Sequence, residues 1–222
     1  MIDPAADKDS PDALSTDHVT PKQFYPKSIR IEENLNLWVT PTHKRCNGDY
    51  KKDEEYFYHS LYPLVANANQ HMAQTVLKDI GRRAEKPQSQ TLIRGLLKTA
   101  RTETEGGIQL PPGTVQMSAN EYRIQRIAIK IAQGVFYLKH DHYLPHGNCK
   151  DIRICESEQD APEMYSLSWG LAEMVTVCPR VFSYKTVSLD GMQFYSLLFW
   201  EAFMFCMVFD RPMSSDASDE GI

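Results

Sequence analysis

Asp17-His18-Val19-Thr20-Pro21-Lys22 and, further along, Asn36-Leu37-Trp38-Val39-Thr40-Pro41-Thr42-His43-Lys44-Arg45-Cys46-Asn47 are the two stretches from which the rest of the chain is read. The first sets a carboxylate beside an imidazole. The second carries an asparagine, a short alternating apolar segment, a His-x-x-Cys pair and a further asparagine. An imidazole titrates near neutrality and can take a proton from water, and a neighbouring group can hold its tautomer. A carboxylate oxygen suits a hard divalent cation. Neighbouring strand residues face opposite ways, so Asp17 and His18 serve one site only where the chain bends.

The local pattern over residues 14 to 58 is strand, strand, helix. Residues 14 to 25 read as a first strand and turn, with Pro21 and Pro26 preventing a long regular element. Leu35 to Val39 alternates apolar and polar residues and reads as a second strand that Pro41 ends. A helix is expected to begin near Cys46 or Asn47 and to run through Lys51-Lys52-Asp53-Glu54-Glu55. Tyr56, Phe57 and Tyr58 read as the anchor of this module against the helices that follow, and Trp38 as a core residue.

The ordered set Asp17-His18, Asn36, His43-x-x-Cys46 and Asn47, continued by the acidic-aromatic Lys52-Asp53-Glu54-Glu55-Tyr56-Phe57, resembles the HNH endonucleases, whose nuclease site is a ββα-metal module. The resemblance implies His18 as general base, Asp17 and Asn47 as holders of Mg²⁺ or Mn²⁺, and Asn36 as the residue that orients the catalytic histidine. Asn34, one strand period away, is an alternative for that middle position. With asparagine in the last place, the chain is an H-N-N variant.

One departure from the family pattern concerns zinc. Many members hold the module with two CxxC pairs, yet residues 1 to 16 contain neither Cys nor His. His43 and Cys46 make at most a zinc half-site. A full set would need His140, His142, His146, Cys149 or Cys155, so structural Zn²⁺ is not expected. Lys44, Arg45, Lys51 and Lys52 are candidate phosphate contacts. They would position a duplex without reading its sequence. Equally, they form a charged helix face balanced by Asp53, Glu54 and Glu55.

The net charge is −5, but its distribution is uneven. Residues 18 to 101 hold fourteen basic and eight acidic residues, and residues 102 to 222 hold nine and sixteen. The positive surplus falls on and just after the candidate module, where a phosphate backbone would lie. Hydrophobic content of 42% is that of a globular chain. Five cysteines in no tight pattern read as reduced thiols of a cytoplasmic protein. The apolar run from Leu197 to Phe209, broken by Glu201, is too short for a bilayer span and reads as core, so no membrane partner is expected.

The expected organisation is α+β. Residues 1 to 13 form a loose arm, 14 to 58 the HNH-like ββα module, 59 to 212 a helical then β-rich region packed on it, and 213 to 222 a frayed tail. Leu64, Ala68, Met72, Val76 and Ile80 form a helical stripe over residues 61 to 82, stopped by Gly81. A further helix is expected over 89 to 101, and a loop over 102 to 116. Ser118 and Glu121 make a capping box for a helix whose stripe is Ile124, Ile127, Ile131, Val135 and Leu138. From Met164 onward two to four strands are expected, with turns at Cys178-Pro179 and Asp190-Gly191.

Two functional expectations follow. The first is a metal-dependent endonuclease on double-stranded DNA, of the kind that in this family serves restriction, phage defence or mobile elements. The second is a catalytically inactive, HNH-derived interaction or regulatory subunit. In either case the acidic C-terminal region would meet a protein partner or a second copy of the chain.

Overall fold

The computed structural model describes residues 10–144, 149–155, 163, 165 and 170–210. The expected tail over 213 to 222, most of the expected arm, and His146 lie outside the described residues. The architecture is α+β, with an N-terminal strand-strand-helix region, a middle helical stretch and a C-terminal sheet.

Strand β1 (Leu14–His18) pairs with β2 (Val39–His43). Val19 N donates to Trp38 O and Lys44 N to Ala13 O, each at 3.0 Å, so the strands run antiparallel. The connection holds a 3-10 turn over Lys22–Phe24 and the short helix α1 (Lys27–Glu32). Pro21 and Pro26 stand just before these turns, where a fixed φ and a missing N–H cost least. The second strand begins where the sequence pattern ends it. Residues 35 to 38 lie outside any strand, and Pro41 sits inside β2. A two-stranded ribbon has only edges, and an edge strand tolerates a residue with no N–H to donate.

Helix α2 (Lys44–Ala68) begins directly after β2, two residues before Cys46. Every residue from Tyr56 to Tyr62 is buried, so the helix is enclosed on all sides there. Phe57 stacks on Phe24 at 4.9 Å, so the expected aromatic anchor is present, but it packs on the turn after β1 as well. Asp53 does not balance the neighbouring lysines. It is buried and accepts from Arg123 Nε at 2.6 Å and from Arg126 Nη1.

The single helix expected over 61 to 82 is two. At Asn69 the backbone turns extended, and its Oδ1 accepts from His71 N and Met72 N, which starts α3 (Gln70–Ala84). Local side-chain capping of this kind competes with helix continuation and resets its phase. Leu64 and Ala68 are therefore exposed, whereas Leu61, Tyr62, Val65, Met72 and Val76 are buried. Gly81 is interior to α3 and stops nothing. Helix α4 (Pro87–Leu97) begins two residues before the expected start and ends before Lys98. Residues 102 to 116 contain no helix, and isolated bridges join Arg101 to Gln116 and Glu103 to Gln109.

Helix α5 (Glu121–His140) buries Ile124, Ile127, Ile131 and Val135 as expected, but leaves Leu138 exposed. Its cap is Asn120, whose Oδ1 accepts from Arg123 N at 3.1 Å. Ser118 is instead tied to Thr99 through its backbone N, so the capping box does not form.

The C-terminal sheet is antiparallel, in the order β3-β7-β6-β5-β4, from β3 (Cys149–Cys155), β4 (Val175–Cys178), β5 (Phe182–Leu189), β6 (Met192–Phe199) and β7 (Phe203–Asp210). Four strands follow Met164, and β3 is an addition that the sequence pattern did not show. Asp190-Gly191 has φ of 49° and 73°, and Trp200-Glu201 has 53° and 54°. Two consecutive positive φ values match the right-handed twist of the strands they join. Strands β6 and β7 are buried along nearly their whole length, so the apolar run from Leu197 to Phe209 is core and Glu201 is the exposed tip of its turn.

Two compact units are woven from alternating parts of the chain. Met1–Ser15, Pro21–Asn34 and Thr42–Ile127 make one, and Thr16–Thr20, Leu35–Pro41 and Ala128–Ile222 the other. Among the described residues no helix is long and apolar enough to cross a membrane.

Candidate functional site

Asp17 and His18 close β1, and the chain bends immediately afterwards at Val19 and Thr20. The strand ends there because Pro21 begins the next turn. Asp17 is held by a residue that the sequence reading passed over. Its Oδ2 lies 2.6 Å from Lys130 Nζ on α5, with only 12% and 10% of the two side chains exposed. His18 is half-buried, and its Nδ1 is shut off from solvent.

Tyr143 completes this neighbourhood. Its hydroxyl donates to Pro41 O at 2.6 Å, and its ring stacks on Tyr137 at 4.6 Å. Burial raises the Tyr143 phenol above its usual range, and the fields of Tyr137 and Asp17 add to that against a hydrogen bond with Thr40. An acid, an imidazole, an ammonium and a phenol thus share one unit with the buried Thr20 and Thr40.

Asn36 belongs to the same unit and is exposed, two residues before Trp38. Asn34 has a role of its own. At φ 45° it takes the left-handed conformation that ends α1, with its N–H donating to Ile31 O. Trp38 is 36% exposed and meets the Tyr184 ring edge-on at 6.2 Å, rather than filling a core.

The remaining predicted residues fall in the other unit. His43 precedes α2 in an extended conformation with no side-chain capping bond, and is exposed. Cys46 and Asn47 lie half-buried in the first turn of α2. Lys44, Arg45, Lys51 and Lys52 are exposed, and Arg45 reaches Asp12 at 3.9 Å.

No family model, curated protein or solved structure matches the chain.

The donors expected for a metal are of two kinds. Among the described residues no three His, Cys, Asp or Glu side chains are grouped to hold an ion, so His43 and Cys46 gain no third donor of that kind. His140 and His142 pack against the Phe136 ring, at 4.2 and 5.2 Å. Cys149 has its thiol pushed up to about 11, chiefly by burial. Cys155 is buried 4.0 Å from Cys206. The second kind, the carboxylate of Asp17 and the amide of Asn47, is hard oxygen chemistry of the sort Mg²⁺ and Mn²⁺ accept. The carboxylate already has a cationic partner in Lys130, and any metal there must contend with it.

Lys130 was legible only as a polar position beside Ile127 and Ile131 in the α5 stripe. Nothing in the sequence joins it to Asp17.

Proposed function

We propose that the chain is a metal-dependent endonuclease of HNH type that hydrolyses phosphodiester bonds in double-stranded DNA. The observation that supports this most is the order of elements and side chains together. Asp17-His18 closes the first strand of an antiparallel pair, and Asn47 stands in the first turn of the helix that leaves the second. In this reading a divalent cation at Asp17 supplies charge stabilisation at phosphorus and at the leaving oxygen. His18 takes the proton of the attacking water at Nε2, since Nδ1 is shut off from solvent. Asn36 orients His18. The assignment of Asn47 to the cation rests on chain order and on the family resemblance alone.

The test is cleavage of supercoiled and linear DNA with added Mg²⁺ or Mn²⁺ by the wild type and by His18→Ala at equal concentration. The expected loss is about 10²- to 10⁴-fold, the usual worth of a positioned acid-base group, with duplex binding little changed. Equal rates, or no cleavage by well-folded wild type, would end the nuclease reading.

The Asp17–Lys130 pair favours a second reading, in which the scaffold has ceased to be catalytic and serves as an interaction or regulatory subunit. An ammonium on the carboxylate is what a site without a metal would keep.

A further inference from the structure

We propose that Lys130 is the resident counter-ion of the candidate site, and that a divalent cation reaches Asp17 only by displacing its ammonium. The inference rests on the nuclease reading for its purpose, but its physical content is separate. Asp17 and Lys130 lie 113 residues apart in sequence, and a strand end and a helix bring them to 2.6 Å. Both side chains are nearly nine-tenths covered, so water screens the pair little. A carboxylate removed from water needs a partner, and leaving it bare is costly. Lys130 therefore keeps Asp17 ionised and in place when no metal is bound.

The same contact opposes a metal. A carboxylate has two oxygens, and a cation on Oδ1 would stand close to the ammonium on Oδ2, where like charges repel strongly in a covered site. Lysine can yield where arginine would not, because its charge sits at the end of a flexible four-carbon stem with no fixed fork geometry. Metal binding is then an exchange of one cation for another. It is weaker than the bare donor set would give, and coupled to the position of α5.

The exchange predicts a behaviour that a purely structural ion pair would not show. Removing the charge should improve metal binding while lowering the stability of the metal-free protein. The experiment is Mn²⁺ titration of the full chain, without DNA, followed by electron paramagnetic resonance or calorimetry. It is run on wild type, Lys130→Met, Lys130→Arg and Asp17→Asn. Lys130→Met should bind Mn²⁺ at least about tenfold more tightly, because the competing charge is gone. Lys130→Arg should bind no more tightly than wild type, and Asp17→Asn should lose the site. In parallel, Lys130→Met should melt lower than wild type without metal and recover on adding Mn²⁺, while wild type moves little.

Affinity in Lys130→Met equal to or weaker than wild type would overturn the displacement. Should that variant fail to fold, Lys130→Gln keeps a polar group at the position and carries the same expectation. DNA cleavage by wild type, measured alongside, separates the two claims. Cleavage with unchanged Mn²⁺ affinity in Lys130→Met removes the displacement and leaves the nuclease reading. No cleavage, with tightened binding in Lys130→Met and loss in Asp17→Asn, does the reverse.

Discussion

Gly134 on α5 lies directly over Val19. A Cβ added to Gly134 would come 2.9 Å from Val19 Cγ1 and 3.1 Å from Cγ2. Helical glycine costs roughly 1 kcal/mol relative to alanine, so its presence in the interior of α5 asks for a reason, and this approach supplies one. Val19 is stiff and 2% exposed, with little room to turn aside. Gly134→Ala should gain the helix preference and lose more to overpacking, which runs at about 1–3 kcal/mol. The expected result is a net loss of up to about 2 kcal/mol in thermal or denaturant unfolding. Adding Val19→Ala should recover part of the loss. Val19 follows His18, so the single variant should also cleave DNA more slowly, and full stability with unchanged cleavage would contradict this account.

Asp79 predicts an acid limit to stability. Tyr58 donates to its Oδ2 at 2.7 Å, Arg83 Nε is 3.1 Å from the same oxygen, and Arg82 pairs with Oδ1 at 2.5 Å. Burial alone would raise this carboxyl. The hydrogen bonds from Tyr58 and Arg82 and the charges of both arginines outweigh it, and the folded value lies below the ordinary one. A depressed carboxyl contributes stability that is complete above its unfolded value, near 3.9, and is lost as pH falls through the folded value. Asp79→Asn should therefore be less stable at neutral pH, by about 3–5 kcal/mol for a broken buried pair. The gap to wild type should narrow below about pH 4. Parallel unfolding curves at all pH values would refute it.

His59 sets a second pH window. It is 3% exposed, and burial is the first cause holding its imidazole below the usual 6.5. The folded protein keeps it neutral, whereas the unfolded chain binds a proton. The contribution is whole above about pH 6.5 and declines as pH falls toward the folded value. His59→Gln should flatten the stability profile between about pH 4.5 and 6.5, above the range in which Asp79 acts. Denaturation at a series of pH values reads both.

Asp53 holds the first turns of α5 in their unit. Arg123 and Arg126 pair with it and also lie over the rings of Tyr56 and Tyr50, at 4.2 and 4.6 Å. Asp53→Ala should cost about 2 kcal/mol, in the range of hydrogen bonds to charged groups, since both guanidinium groups are still partly exposed. Hydrogen exchange at residues 121 to 127 should quicken by more than at residues 131 to 138. Uniform acceleration along α5 would show that the pair does not hold the helix locally.

What was readable in the sequence was what depends on neighbours in sequence. The stripe of α5, the aromatic anchor of α2 and the turn at Asp190-Gly191 follow from periodicity or from a residue that favours positive φ. What was missed depends on contact at a distance. Asp53 looked like one charge in an alternating run, yet its partners are some seventy residues further on. Trp200-Glu201 carries no glycine or asparagine, so its turn was hidden inside an apolar run. The break at Asn69 lay inside a plausible stripe because the capping oxygen acts on the next two residues without disturbing the spacing of apolar positions. In the candidate site, Asp17 and His18 announce themselves by chemistry, while Lys130 has no local sign.

The interleaving of the two units has a consequence for how the chain is made. The unit that holds Asp17 and His18 takes its remaining structure from residues beyond Ala128. During synthesis at about 5–20 residues per second, Asp17 leaves the ribosome on the order of ten seconds before Lys130 exists to meet it. Over that interval the acid and the imidazole belong to a segment with no counterpart to fold against. A nascent chain is therefore silent as an enzyme in the reading proposed here. Premature termination anywhere before the sheet yields fragments that carry the motif without the activity, a built-in protection for the DNA of the cell that makes it.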